Sequence, residues 1–246
     1  MSRVMGTNTR NNLTRELRRL EENLMTRTVR PKRVGGKMRV WRITVALSYK
    51  LKRIADFILS LAGLIVLFPL LVVVGIIIKL TSEGPIIFSQ TRVGRFGKHF
   101  RLYKFRSMYK DAEARKAELI KQGVSNDDLR FKDKNDPRVT PFGRFIRKTS
   151  IDELPQLANV LLGDMSLVGP RPPTPDEVSQ YNLDYRKRLN VIPGLTGLWQ
   201  VSGRSNIKTP EQMELDKKYI ASRSIWFDIC IILRTIPAII TGKGAY

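Results

Sequence analysis

FILSLAGLIVLFPLLVVVGIII, running from Phe57 to Ile78, is 22 residues long, carries no charge and has one hydroxyl, Ser60. As a helix it would measure about 33 Å at ~1.5 Å per residue, against a hydrocarbon core of about 30 Å. Length and composition mark a membrane segment. Pro69, near its centre, removes the backbone bond to Ile65, so a kink or break is expected there. Basic residues crowd both ends: Lys50, Lys52 and Arg53 before it, then Lys79, Arg92, Arg95, Lys98, Arg101, Lys104 and Arg106 after it. A straight span would leave one of these clusters outside, against the positive-inside tendency. A helix that enters, breaks at Pro69 and returns keeps both on the cytoplasmic side. A spanning helix with a proline kink is the commoner use of such a run, and the residues alone leave both readings open.

The 246 residues suffice for one domain with appendages. The formal charge is +22, which suits a polyanionic partner: nucleic acid, an anionic bilayer or a phosphorylated substrate. Residues 1–53 hold 15 Lys and Arg against 3 Glu, so 12 of the 22 surplus charges precede or abut the apolar run. Each such cation near an acidic lipid surface contributes roughly 1 kcal/mol of attraction. Membrane phospholipid therefore accounts for the charge. No nucleic-acid-binding motif is visible, and nucleic acid is not expected as a partner. The lone cysteine, Cys230, excludes a disulfide within the chain. The apolar run is too long, and too far from residue 1, to be a signal-peptide core. His99 stands among Lys and Arg and reads as a solvated loop position rather than a ligand.

Upstream of the run, residues 1–12 read as disordered. Leu13, Leu17, Leu20 and Leu24 have the spacing of a short amphipathic helix, and 30–39 reads as a basic linker. Trp41 and Tyr49 fit an interfacial belt. Arg53 and Asp56 share a helix face at the water boundary. They make either an exposed ion pair of little energy or an anchor that fixes depth and binds a lipid phosphate. Downstream, Ile86–Phe88 reads as a short strand, 92–98 as a basic glycine-bearing loop, and 100–106 as a strand by alternation. That alternation puts Arg101, or Lys104 with Arg106, on one sheet face, either solvated or in contact with phosphate. Met108–Gln122 reads as a solvated helix, and 123–140 as a loop.

The chemistry concentrates further on. Ser150-Ile151-Asp152-Glu153-Leu154-Pro155-Gln156-Leu157 predicts a helix to about Leu162, stopped by Gly163. Ser150 with Glu153 spells a capping box, and Asp152 could itself cap, so the two carboxylates have a purely structural reading. The neighbourhood favours another. Arg171 stands between two prolines, and Arg204 follows Gly203; arginines on stiff loops suit phosphate. Two carboxylates, such arginines and a membrane hairpin together point to phosphoryl chemistry on a lipid. The final apolar run, Ile225–Ile240, is interrupted by Asp228, Arg234 and Pro237. It reads as an amphipathic helix in the interface, with Trp226 at the boundary.

KFRSM at 104–108, SIDELPQLANVLLGDMSLVGPRP at 150–172 and PGLTGLWQVSGR at 193–204 resemble the bacterial sugar transferase family, the monotopic polyprenyl-phosphate phosphoglycosyl transferases. The resemblance covers about residues 48–246. It implies an α/β fold, mostly helical with a small sheet. It leaves out 1–47, which read as a basic N-terminal extension, and implies a re-entrant helix-break-helix over 48–82 turning at Pro69 and a cytoplasmic catalytic domain over 83–246 with amphipathic interfacial helices. Phe68 stands where the family often has serine before the proline. The implied reaction moves a sugar 1-phosphate from a UDP-sugar to undecaprenyl phosphate and releases UMP, beginning exopolysaccharide, O-antigen or capsule synthesis. The family's catalytic dyad falls on Asp152 and Glu153, which with Mg²⁺ would also form the metal site. Asp152 would be the nucleophile, giving an aspartyl phospho-sugar. Lys104, Arg106, Arg171 and Arg204 would meet the substrate phosphates, and Asp216 and Asp228 match further acidic positions. Arg53, Asp56 and Pro69 would anchor the chain in the inner (cytoplasmic) membrane of a bacterium. GLWQVSGR and the GAY ending resemble members that transfer galactose or glucose phosphate, which implies a hexose donor. A homodimer is compatible with this reading. The rival is a basic membrane-surface scaffold whose carboxylates only cap a helix. It predicts that Asp152→Asn leaves function intact.

Overall fold

The structure, a computed structural model, describes residues 35–112, 114–115, 136–204 and 207–241. The expected Leu13–Leu24 helix, the disorder over 1–12, the residues 116–135 expected as helix and loop, and the side chain of Trp41 lie outside them. The chain divides into two compact units, Met1–Leu47 and Ser48–Tyr246.

Helix α1 runs Gly35–Thr81 with Pro69 inside it, so its first residues replace the C-terminal half of the linker expected over 30–39. Among the described residues it is the one helix long and apolar enough to cross a membrane. Its inward positions recur at helical spacing: Asp56, Ser60, Val74 and Ile78 are buried, and Gly63, Leu67 and Leu71 are half-buried. The other faces leave Ile65, Val66 and Phe68 more than three-fifths exposed. A water-facing helix would not present so continuous an apolar surface.

Both flanks of Pro69 hold the second unit. Before it, Lys52 pairs with Asp228 at 2.5 Å. Arg53 donates to the carbonyls of Val160 and Leu161 at 2.5 and 2.8 Å, and Asp56 accepts from the Leu167 N–H at 3.1 Å. After it, Val74 and Ile78 enter a core with Phe105 and Ile146. Arg53 and Asp56 thus do not form the exposed ion pair with each other that was one expectation for them. Their polar atoms satisfy backbone groups more than a hundred residues away, which no local spacing reveals. Tyr49, expected in an interfacial belt, has the guanidinium groups of Arg95 and Arg223 over its ring at 5.6 and 4.8 Å.

Strands β1 (Ile87–Val93) and β2 (His99–Phe105) form an antiparallel hairpin with Val93 opposite His99. The strand after α1 is therefore longer than expected and takes in Arg92. The tip contains a 3-10 turn, Arg95–Gly97, with Phe96 left-handed at φ 57°. Met108, expected in a helix, bridges Val139 instead. Helix α2 (Pro141–Lys148) starts at Thr140, whose hydroxyl accepts from the Gly143 N–H at 2.8 Å. Helix α3 (Gln156–Leu162) ends at Gly163, left-handed at φ 96°. Strand β3 (Ser166–Val168) lies parallel to β4 (Gly194–Thr196). Short helices α4 (Pro175–Ser179) and α5 (Leu183–Arg186) lie between these strands, and α6 (Leu198–Ser202), α7 (Thr209–Ser222) and α8 (Ile225–Thr241) follow them.

Apolar burial ties these pieces together. Phe100, Leu102, Val160 and Met165 join the hairpin to α3. Val168, Leu198, Tyr219 and Ile231 join β3 to α6, α7 and α8. Each such side chain contributes roughly 1.5–3 kcal/mol when fully buried. On α8, Trp226 is 73 % exposed and Leu233 61 %. That leaves an apolar stripe outward, as an interfacial helix requires.

The β3–β4 contact depends on missing side chains. A Cβ on Gly194 would sit 2.0 Å from the Gly169 nitrogen and 2.6 Å from the Thr196 oxygen. Gly194→Ala is expected to destabilise the fold by about 1–3 kcal/mol or more, read as a lower unfolding midpoint. A wild-type midpoint would contradict this packing.

Candidate active site

Asp152 and Glu153 lie on a 3-10 turn, Ile151–Glu153, between α2 and α3. Two residues create it. Ser150 is left-handed at φ 56°, ψ 17°, and Pro155, which has no N–H, occupies the cap position of α3. The helix therefore begins at Gln156 rather than at Ser150. The expected capping box is absent, because a capping side chain reaches the helix N–H groups from an extended backbone. The Ser150 hydroxyl makes no cap bond; it lies 3.4 Å from Arg204 Nη2. Glu153 Oε1 instead takes Lys104 Nζ at 2.5 Å. The structural reading of the two carboxylates as caps thus fails for both.

Asp152 is 7 % exposed. Burial pushes its carboxyl up to about 6, with Lys104 opposing, the Glu153 charge reinforcing and Arg147 opposing. Burial also resists ionisation of Glu153, but Lys104, with Arg171 and Arg204, outweighs it and holds that carboxyl below the usual range. Adjacent carboxylates pushed in opposite directions have different jobs available to them. Glu153 stays ionised, while Asp152 gives up its proton only near pH 6.

Lys104, Glu153, Gln156, Arg171, Pro172 and Gln200 line one narrow cleft. Strand alternation turns Tyr103 and Phe105 to the other side of β2. There they face a larger apolar cleft that Leu64, Phe68 and Gly75 of α1 share with Pro155. A polar cleft and an apolar one thus meet around residues 152–155.

Of the residues singled out in the sequence, Lys104, Arg171 and Arg204 gather around the dyad. Arg106 does not. Its guanidinium is buried on the carbonyls of Pro85, Ser82 and Ile78, with the Ser82 hydroxyl at 2.8 Å, closing the end of α1. Arg106 follows β2's last residue, so the alternation that pairs it with Lys104 no longer applies. Asp216 and Asp228 are also elsewhere. Asp216 pairs with Arg188 at 2.7 Å. Asp228 holds Lys52 and accepts from the Tyr219 hydroxyl at 2.8 Å.

Three further arginines were not singled out as site residues in the sequence. Arg147 donates to the Ser107 hydroxyl at 3.0 Å, and its charge acts on Asp152. Arg92 and Arg188 are both buried. The signal for Arg147 was its place five residues before Asp152; Arg188 lies in a cation run that reads as solvated surface.

Among the described residues no group of three or more His, Cys, Asp or Glu could cage a metal. The dyad nonetheless fits Mg²⁺, which commonly takes one or two carboxylates and completes its shell with waters and substrate phosphates.

Comparison with known proteins gives a consistent result. The family model described as bacterial sugar transferase matches residues 47–242. A galactosyl transferase, CpsE, of Streptococcus agalactiae is 50 % identical over 196 residues, 79 % of this chain and 43 % of that protein. The undecaprenyl-phosphate galactose phosphotransferase of Salmonella typhimurium is 45 % identical over 204 residues, 80 % of this chain and 42 % of that protein. The exopolysaccharide production protein ExoY of Sinorhizobium fredii is 37 % identical over 198 residues, 79 % of this chain and 88 % of that protein. The chain therefore spans about four-tenths of the length of the first two relatives and matches nearly all of the third.

Proposed function

This chain belongs to the bacterial sugar transferase family, and from that premise we propose that it transfers a hexose 1-phosphate from a UDP-sugar to undecaprenyl phosphate, releasing UMP and starting an exopolysaccharide, O-antigen or capsule. The observation that carries the proposal is the Asp152–Glu153 pair: two carboxylates that cap nothing, one of them 7 % exposed, ringed by Lys104, Arg147, Arg171 and Arg204.

Asp152 is the nucleophile. Its carboxylate oxygen forms a bond to the β-phosphorus of the UDP-sugar, and the bond from that phosphorus to the bridging oxygen breaks. UMP leaves with the electron pair, and an aspartyl phospho-sugar remains. An oxygen of undecaprenyl phosphate then attacks the same phosphorus and the Asp152 carboxylate departs. Splitting the transfer lets a water-soluble donor and a membrane-bound acceptor use one site in turn. Arg171 and Arg204 bind the diphosphate, and Lys104 orients Glu153. Asp152 and Glu153 would hold Mg²⁺, which would offset the phosphate charge that repels a carboxylate.

The segment around Pro69 serves as a re-entrant anchor, so the protein is monotopic, on the cytoplasmic membrane with its catalytic domain in the cytoplasm. A straight helix would place Asp56 and Ile78 about 33 Å apart, on opposite sides of a hydrocarbon core of about 30 Å. Yet Asp56 holds Leu167 and Ile78 packs on Phe105, both in one folded unit. Contact on both flanks favours a hairpin, and the apolar cleft beside Pro155 gives the polyprenyl chain a route to the dyad.

The test is UMP release by detergent-solubilised protein supplied with undecaprenyl phosphate, Mg²⁺ and, separately, UDP-galactose and UDP-glucose. Multiple-turnover release that requires lipid and metal supports the reaction and names the sugar. No release across a wider donor panel would move a basic membrane scaffold to the front. The rate should also fall as pH drops through about 6, because the nucleophile acts as the anion and burial raises the Asp152 carboxyl to that value. Glu153→Gln, by removing a like charge, should shift this acid limb downward in a pH profile of kcat/KM. An acid limb that Glu153→Gln leaves unmoved would contradict its assignment to Asp152.

A further inference from the structure

Residues 170–173, Pro-Arg-Pro-Pro, can offer their neighbours little but carbonyls, because proline has no N–H. Each of the four carbonyls has a donor. Pro170 O takes the Gly194 N–H at 2.8 Å and Pro173 O the Val93 N–H at 2.9 Å. Arg171 O takes Arg188 Nη2 at 2.9 Å, and Pro172 O takes Arg92 Nη1 at 3.1 Å. The two side-chain donors are themselves fixed. Arg188 pairs with Asp216 at 2.7 Å and reaches the Tyr181 hydroxyl at 2.8 Å. Arg92 meets Gln90 Oε1 at 2.6 Å and stands 4.0 Å from Glu177. All four charged side chains are less than a tenth exposed.

Buried ion pairs are poor devices for stability alone, since apolar replacements of similar volume are often neutral or better. Here each buried guanidinium ends on a carbonyl of the loop that carries Arg171, and the Arg171 charge acts on Glu153. The geometry points to Arg188 and Arg92 as positioning residues: they clamp the 170–173 loop from two sides and thereby set the Arg171 guanidinium for the diphosphate of the nucleotide donor. Asp216 and Glu177 hold the clamps. The inference rests on the proposed reaction for its choice of ligand.

Lysine in place of either arginine keeps one charged nitrogen for acid and carbonyl but loses the second arm of the planar fork, which Arg188 sets on the Tyr181 hydroxyl and Arg92 on Gln90. Arg188→Lys is expected to lower kcat/KM and UDP affinity about 10- to 100-fold, as other supports of a functional side chain do. The deciding readout is a double-mutant cycle with Arg171→Ala. If Arg188 acts through Arg171, Arg188→Lys costs little more once Arg171 is gone; losses that multiply in full would overturn the inference. Arg92→Lys should give the same cycle, and carries the test if Arg188→Lys fails to fold. UDP binding is measured beside turnover. Binding without UMP release from any UDP-sugar would sink the proposed reaction, while the cycle in UDP affinity still decides the positioning. Failure of the unaltered chain to bind UDP would overturn both.

Discussion

Asp152→Asn is expected to abolish sugar-phosphate transfer, by about 10³-fold or more as for other lost nucleophiles, while leaving the fold as stable as before or more so. The two effects have one cause. Asp152 is nearly enclosed and lies beside Glu153, so burial and the neighbouring charge both disfavour its anion. The folded chain raises this carboxyl from 3.8 to about 6. It therefore holds a proton that the unfolded chain releases, and stability contributed at low pH is lost as pH rises from about 4 through 6. Asparagine has no such proton to lose. The melting temperature of Asp152→Asn relative to the unaltered chain should rise as pH goes from 4 to 7. A variant that melts well below its parent at pH 7 would mean that Asp152 is a structural group. That result, with transfer intact, would restore the scaffold reading.

Asp216→Ala should have the largest effect on stability. Asp216 and Arg188 are 2 % and 6 % exposed, with 2.7 Å between charged atoms. Removing the acid leaves a buried guanidinium without its counter-charge, a loss of about 3–5 kcal/mol in comparable pairs. Asp184 is the natural control. It also carries two cations, Lys187 and Lys217, at 2.8 and 2.6 Å, but lies in solvent, where such pairs contribute little. Chemical unfolding of Asp216→Ala and Asp184→Ala side by side should show a large fall in the first midpoint and almost none in the second. Equal shifts would contradict the distinction.

What the sequence disclosed was local or periodic. The apolar run of α1, the stop at Gly163, the strand through 100–105 and the Asp152–Glu153 pair are all carried by neighbouring residues. What it hid was long-range. Arg53 and Asp56 look like a surface pair until Val160 and Leu167 arrive from the other end of the chain. Arg106 follows the strand alternation of Lys104 by count, but the strand ends one residue before it and the guanidinium turns to α1. The capping box at Ser150 was well spelled and wrong, because a left-handed Ser150 and Pro155 break the helix that would need capping. Arg188 and Asp216 lie 28 positions apart in sequence, and only the packing of α7 against the 187–190 turn brings them together.

The most direct test of Asp152 as a covalent nucleophile omits the lipid acceptor. Purified protein is incubated with Mg²⁺ and the UDP-sugar that supports turnover, then quenched in acid for intact-mass and peptide analysis. The expected result is a burst of UMP not exceeding one equivalent per chain, with a hexose-phosphate adduct on the peptide containing Asp152 and none in Asp152→Asn. UMP release that begins only when undecaprenyl phosphate is added, with no adduct before it, would contradict the two-step transfer and indicate direct attack of the lipid phosphate on the donor.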